Sequence, residues 1–396
     1  MTGIATKESP FTPGRPVPVE YFVARHKEIE RIERAIGQTT FGRNENVFIT
    51  GERGIGKSSL AGFVRCLAEK EYGLIGSHCP LGGVSTLEDM MGVIFQRLLQ
   101  DCTDKSLFDK LKDFFSEYIK GLTLFGVGVE FTEDRSKLKT LVNNFLPVMR
   151  KVYSEIQNTG RKGLILILDD LNGITDVPVF SRFLKSFVDE LATSGKPLPI
   201  LLVLVGLPER REELIKHQPS VARIFDIIVL PLMSKSESEE FFTNMFGRQN
   251  VIVSSTALSM MVEMSAGFPM IMHEVGDAVF WQDRDNNINE VDAFGGITEA
   301  AKVVGKKYIE PQISKLLKSK KYASILRFIY KRVPLGGMFS RHQILASLPS
   351  SEQKSLDHLL QRSIELGIIQ ADEARGEYRF VNPSYHLYLY TRFVHE

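Results

Sequence analysis

The chain has 396 residues, 43% of them hydrophobic, with 49 Lys plus Arg against 48 Asp plus Glu. That length holds two or three domains with real cores, and a net charge of +1 excludes a chain that binds polyanions over its whole surface. Neither the first residues, MTGIATKESPFTPGRPVPVE, nor the longest apolar run, Ile200 to Leu207, makes a signal core or a membrane span, and three cysteines without a CxxC spacing (Cys66, Cys79, Cys102) suit a reducing compartment, so a cytoplasmic protein without a zinc site is expected.

Residues 1–20, rich in Pro, Thr and Gly, read as an extended lead-in. FVARHKEIERIERAI then places Phe22, Ile29, Ile32 and Ile36 on one helical face, behind a short extended YFV. The run NVFIT (Asn46 to Thr50) is a buried strand, and it leads into ITGERGIGKSS (Ile49 to Ser59). Here Gly51-x-x-x-x-Gly56-Lys57-Ser58 carries a further glycine at Gly54, and SSLAGFVRCLAEK then puts Leu60, Phe63, Val64 and Leu67 on one helical stripe. Strand, glycine loop and helix in that order are the context of a phosphate-binding P-loop. Gly51, Glu52, Arg53, Gly54, Ile55 and Gly56 would form the loop, with Lys57, Ser58 and Ser59 opening the helix. Backbone N–H groups would converge on phosphate oxygens at the positive end of the helix. Lys57 would reach the β- and γ-phosphates, and the Ser58 hydroxyl would ligate Mg²⁺.

Next come a second strand in YGLIGSHCPL and the helix LEDMMGVIFQRLLQ, capped by Thr86. Residues 104–160 form an insertion: a helix, a hairpin suggested by Leu122, Leu124, Val127, Val129 and Phe131, and another helix. In KGLILILDDLNGI, five apolar residues from Leu164 to Leu168 make a buried, parallel strand that ends in Asp169 and Asp170. Open α/β sheets bind ligands at the carboxyl ends of their strands. Asp169 would hold Mg²⁺, usually through water, and Asp170 would polarise an attacking water. The alternative for Asp170 is a cap on the following turn. PLPILLVLVGLPE is another buried strand, and Ile227 to Leu230 is the last. Alternating strands and helices give a three-layer α/β P-loop domain with a mainly parallel sheet over residues 21–235, then a helical lid over 236–305.

The remainder, 306–396, contains three helices (YASILRFIY, FSRHQILASL, SSEQKSLDHLLQRSIELG) and two strands (IIQ, YRFV), the order of a winged helix. The third helix is expected to carry a capping box from Ser350 to Gln353 and to stop at Gly367. From Pro311 onward there are 13 Lys plus Arg against 7 Asp plus Glu, so the basic excess is concentrated at this end. Tyr385, Tyr388 and Leu389, at helical spacing, read as core.

Taken in order, FVARHKEIERI, GERGIGKSS, LILILDDL, VGLPE, SVARIFDIIVLPL, AGFPMIMHEVGDAV and GEYRFVNPSYHLYL resemble AAA+-related P-loop ATPases, the group spanning origin-recognition-type initiators, archaeal-type ATPases and STAND signalling NTPases. The resemblance runs from about residue 21 to the end, and the 104–160 insertion is least covered. It implies that Phe22 and Val23, in Phe22-Val23-Ala24-Arg25, wrap an adenine, with Ala24 where the family has glycine. Pro269 corresponds to the lid residue that covers the base, and Arg223 to an arginine finger offered to a neighbouring subunit. Two departures imply slow hydrolysis and a nucleotide-held switch. Gly206 stands where a polar sensor is usual, and Met272 and His273 occupy the lid helix where initiators place a sensor arginine. Adenine over guanine follows from the resemblance, with no NKxD-type motif to oppose it.

Two functions remain open. In the first, ATP and Mg²⁺ move the winged helix on duplex DNA. Lys354, His358, Gln361 and Arg362 would lie on one flank of its third helix, opposite Leu356, Leu360 and Ile364, with Arg375 and Arg379 on the wing and Asp372, Glu373 and Glu377 opposing them. In the second, a STAND-like signalling or regulatory NTPase presents its conformation to a protein partner or to another copy of itself. A P-loop kinase is a third option, which the long helical lid and the carboxy-terminal domain argue against.

Overall fold

A computed structural model describes residues 8–102, 105–116, 142–333, 337–372, 376–381, 385, 388–389 and 392–393. The expected hairpin from Leu122 to Phe131, and Glu373 and Arg375 of the wing, lie outside the described residues. The chain divides into two compact units: Pro16–Pro231, and Leu232–Glu396 together with the residues up to Arg15.

The first unit contains α1 (His26–Thr40), β1 (Glu45–Thr50), α2 (Lys57–Lys70), β2 (Leu74–Pro80), α3 (Leu87–Gln100), α4 (Lys105–Ser116), α5 (Phe145–Gln157), β3 (Gly163–Asp169), α6 (Pro178–Thr193), β4 (Ile200–Gly206), α7 (Pro208–His217) and β5 (Asp226–Val229). Its strands form a parallel sheet in the order β2-β3-β4-β1-β5. Alternate side chains of a strand leave opposite faces, and here both faces are covered. Leu164, Leu166 and Leu168 of β3 enter a core shared with α3, α5 and α6, where Ile94, Met149 and Phe180 are buried. Ile165 and Ile167 enter the other core, with Ile32 and Ile36 of α1 and Leu60 and Val64 of α2. A strand buried on both sides has to be apolar throughout, which is why LILIL carries no polar alternation.

Local chemistry sets several boundaries. Thr86 caps α3 by accepting the Asp89 N–H at 3.1 Å. The first helix begins at His26, not at Phe22, because Ala24 and Arg25 both take left-handed φ values of 63° and 64°. Of the expected extended YFV, Tyr21 instead ends a 3-10 turn, Val19–Tyr21, while Phe22 is extended.

The second unit contains α8 (Lys235–Gly247), β6 (Ile252–Val253), α9 (Ser255–Ser265), α10 (Pro269–Phe280), β7 (Asn287–Ile288), α11 (Glu290–Val304), α12 (Glu310–Leu317), α13 (Lys320–Arg332), β8 (Met338–Ser340), α14 (Arg341–Ser347), α15 (Ser350–Glu365), β9 (Ile369–Ala371) and β10 (Glu377–Phe380). Ser234 and Glu237 form a reciprocal capping box at the start of α8. At the other end, β8-β10-β9 make a small antiparallel sheet. Phe339 and Ser340, expected in a helix, belong to β8 because they pair with Tyr378 and Glu377 of β10. The capping box expected at Ser350 is absent: Pro349 is the N-cap residue and Gln353 Nε2 donates to Leu348 O instead, at 3.0 Å. The inner stripe of α15 is Leu356, Leu359, Leu360 and Ser363, and Ile364, expected on it, is 43% exposed. Gly367, with φ of 65°, ends the helix as its position suggests. Tyr385, Tyr388 and Leu389 are buried.

The lead-in supplies a core residue to this unit. Phe11 is 4% exposed and lies against Phe241, Phe242, Phe246 and His273, with ring centroids 4.9 to 6.4 Å away. Gly276 of α10 leaves the space, since a Cβ there would run into the Phe11 ring. Thr12 N–H donates to His273 Nδ1 at 3.1 Å. No helix among the described residues is long and apolar enough to cross a membrane.

Candidate nucleotide site

The loop between β1 and α2 bends on three glycines with positive φ: Gly51 at 152°, Gly54 at 81° and Gly56 at 96°. Gly51 is also forced by space. A Cβ at that position would stand 2.9 Å from Leu230 O, and the Leu230 N–H donates to Thr50 O at 2.8 Å. The loop therefore starts where the chain leaving β5 presses on it. Lys57, first residue of α2, donates through Nζ to Gly51 O at 2.7 Å and Glu52 O at 2.8 Å. Burial lowers its pKa, while the carboxylates of Asp169, Glu52 and Asp170 pull it back up. The two acids at the end of β3 thus favour the charged form of the P-loop lysine.

Asp169 is 7% exposed. Its Oδ1 accepts the Asp170 N–H at 2.8 Å, and its Oδ2 lies 2.9 Å from His78 Nε2. Asp170 is exposed, holds a left-handed φ of 59° and accepts a hydrogen bond from Asn172 Nδ2. The loop after β2 is moulded to this corner: Leu81 N–H donates to Asp169 O at 2.6 Å, and a Cβ on Gly82 would stand 2.7 Å from Asp170 Oδ2. His78 was not singled out by any motif. The one signal for it was its place near the end of the strand preceding the acidic one.

Other expected residues fall in different settings. The Ser59 hydroxyl accepts the Val17 N–H at 3.1 Å and so anchors the incoming chain. Phe22 stacks on Phe63 of α2, with centroids 4.8 Å apart, and Val23 is half-buried beside it in sequence. Arg25 is 2% exposed and donates through Nη2 to Ile55 O at 3.3 Å, which ties the Phe22–Arg25 segment to the loop. Arg53 is exposed. Arg223, exposed at the end of the 3-10 turn Pro219–Arg223, makes no ion pair with the described residues. Pro269 opens α10 in the second unit, after Gly267 with φ of 71°.

The donor set fits Mg²⁺. Ser58 and Asp169 offer oxygen, and no cluster of three His, Cys, Asp or Glu among the described residues could hold a metal alone. Mg²⁺ is ordinarily held by one or two protein oxygens, substrate phosphates and water, so few protein ligands are needed.

The family model for the AAA ATPase domain matches residues 21–203. These residues are an AAA ATPase domain. Its match starts one residue before Phe22 and takes in the P-loop, both acids and most of β4. Over nearly the whole chain, the fold is similar to a Walker-type ATPase of Pyrococcus abyssi: 17% identity, 94% of this chain and 97% of that one covered, TM-score 0.55. It is also similar to the ORC2 protein of Aeropyrum pernix in ADPNP–ADP complexes, with 14% identity, 98% of each chain covered and TM-score 0.57. At such identities the likeness bears on fold alone. No curated protein matches the chain.

Proposed function

We propose that the protein is a Mg²⁺-dependent, ATP-binding and slowly ATP-hydrolysing switch that couples its nucleotide state to association with duplex DNA. The observation that carries this is a glycine loop whose Lys57 opens α2 after β1, together with Asp169 and Asp170 at the carboxyl end of β3 in the same parallel sheet, within an AAA ATPase domain. Lys57 binds the β- and γ-phosphates, while Ser58 and Asp169 hold the metal, which neutralises phosphate charge when bound. Asp170 orients the attacking water and Arg223 serves a neighbouring copy. Gly206 puts no polar side chain at the end of β4, and the buried His273 is tied to Thr12, which together favour a slow step over a fast motor.

Support for DNA comes from the last part of the chain, whose helices and small antiparallel sheet follow the order of a winged helix. Lys354, His358, Gln361 and Arg362 are all exposed on α15. The ORC2 resemblance in fold agrees with this reading. A second reading has an observation of its own: Arg362 pairs with Glu365 at 2.7 Å and Arg341 pairs bidentately with Asp357 at 2.6 and 2.7 Å, so acids occupy the same helix. That favours a protein-facing module, as in a STAND-like regulatory NTPase acting through a partner or self-assembly.

Steady-state ATP hydrolysis with Mg²⁺, with and without duplex DNA, separates the two, with Lys57→Ala as control. Turnover that rises with DNA and vanishes in Lys57→Ala, by about 10²–10³-fold, supports the DNA-coupled switch. Lys57-dependent turnover indifferent to DNA moves the case to the protein-facing reading. No bound nucleotide at all would sink both.

A further inference from the structure

We infer that His78 is a positioning residue for Asp169 and sets how readily the site takes up Mg²⁺. This rests on the ATPase reading above. β2 and β3 run parallel, with His78 opposite Ile167 and Pro80 opposite Asp169. His78 therefore stands two residues behind the acid, and its imidazole reaches forward to Asp169 Oδ2 at 2.9 Å. An ionised carboxylate only accepts, so Nε2 is the donor. Oδ1 is taken by the Asp170 N–H at 2.8 Å. With one donor on each oxygen, the carboxylate cannot turn about its own axis, yet each oxygen keeps a lone-pair direction for a metal-bound water.

His78 is held in turn. Its backbone N–H donates to Asp101 Oδ2 at 3.2 Å, and Asp101 Oδ1 pairs with Arg65 at 3.2 Å. Arg65 belongs to α2, the helix whose first turn carries Lys57 and Ser58. A polar chain thus runs from the P-loop helix through Arg65, Asp101 and His78 to the metal-binding carboxylate. Partners of this kind orient a ligand before the metal arrives and typically alter metal affinity by about 10–100-fold when removed. The effect falls on the metal and leaves the nucleotide's own contacts with the P-loop intact.

The test titrates Mg²⁺ against binding of a fluorescent ATP analogue to the full chain. Wild type and His78→Gln, whose amide keeps a donor near the position of Nε2, should reach half-maximal enhancement at the same Mg²⁺ concentration. His78→Ala should need roughly tenfold more, with its Mg²⁺-free affinity for the analogue unchanged. That unchanged value also reports that the variant is folded. Three results would overturn the proposal: His78→Ala titrating like wild type, His78→Gln as impaired as His78→Ala, or a Mg²⁺-free affinity that drops in step. A wild-type chain that binds no analogue at any Mg²⁺ concentration would instead remove the ATPase reading, and this proposal with it.

Discussion

The P-loop and the Phe11 contact both depend on a glycine that leaves room for something else, yet they are built over very different distances in the chain. Gly51, Gly54 and Gly56 shape a loop whose strand and helix are its immediate neighbours, and Lys57 closes back on Gly51 O and Glu52 O. Gly276 makes space for a ring that enters from residue 11, and Thr12 meets His273 across 261 residues. The first arrangement is written mostly in a dozen consecutive residues, with Leu230 O of the chain leaving β5 closing on Gly51. The second exists only after α8 and α10 have assembled. A chemical motif can therefore be legible in a chain whose structural tether is not.

The comparison can be broken most directly at Phe11. Phe11→Ala should cost about 3–5 kcal/mol in urea-induced unfolding of the second unit, because it empties a site walled by three phenylalanines and His273. Gly276→Ala should be destabilising alone and much less so on the Phe11→Ala background, since the added methyl then meets a vacated space. If the two changes simply add, Phe11 does not pack on α10 in solution.

A smaller effect should appear with pH. Burial holds the His273 imidazole down to about 4, from an ordinary 6.5. Between those values only the unfolded chain takes up the proton, so stability rises with pH across that window. The neutral ring's contribution is complete above pH 6.5 and is lost as pH falls toward 4, by about 3 kcal/mol. Protonation would also abolish the acceptor that Nδ1 offers Thr12. Urea unfolding at pH 7 and pH 4.5 should show a loss that His273→Asn, which does not titrate, lacks. Equal losses in both would place the acid sensitivity elsewhere.

The smallest effect sharpens the comparison from the P-loop side. Ala24 holds a left-handed φ of 63° where the resembling family has glycine. Ala24→Gly should therefore stabilise the first unit by up to about 1 kcal/mol, read as a higher melting temperature. A lower melting temperature would mean that the Ala24 methyl, buried at 2% exposure, contributes more by packing than its backbone loses by strain.

Much of the ATPase domain was readable because its signals are local. The run Leu164 to Leu168 announced a strand covered on both faces, and the two cores that receive its alternate residues explain why no polar residue interrupts it. Thr86 and Gly367 marked helix ends through chemistry confined to one turn. Where a neighbouring strand intervened, that reading failed. Phe339 and Ser340 look helical alone, yet pair with β10. Ile364 follows the helical spacing of Leu356 and Leu360, but the face that packs is turned toward Leu359 and Ser363. The partner of Arg25, the backbone carbonyl of Ile55, was likewise set only in the folded chain.

By itself, the sequence determined the parallel α/β domain, the phosphate loop and the two acids, because periodicity and glycine placement act on adjacent residues. Only the tertiary structure decided that Phe11 belongs to the second unit's core, that Arg25 clamps the loop at Ile55 and that His78 holds Asp169. Those contacts depend on which side chains converge once separate strands and helices have packed, and no local pattern in the chain encodes that convergence.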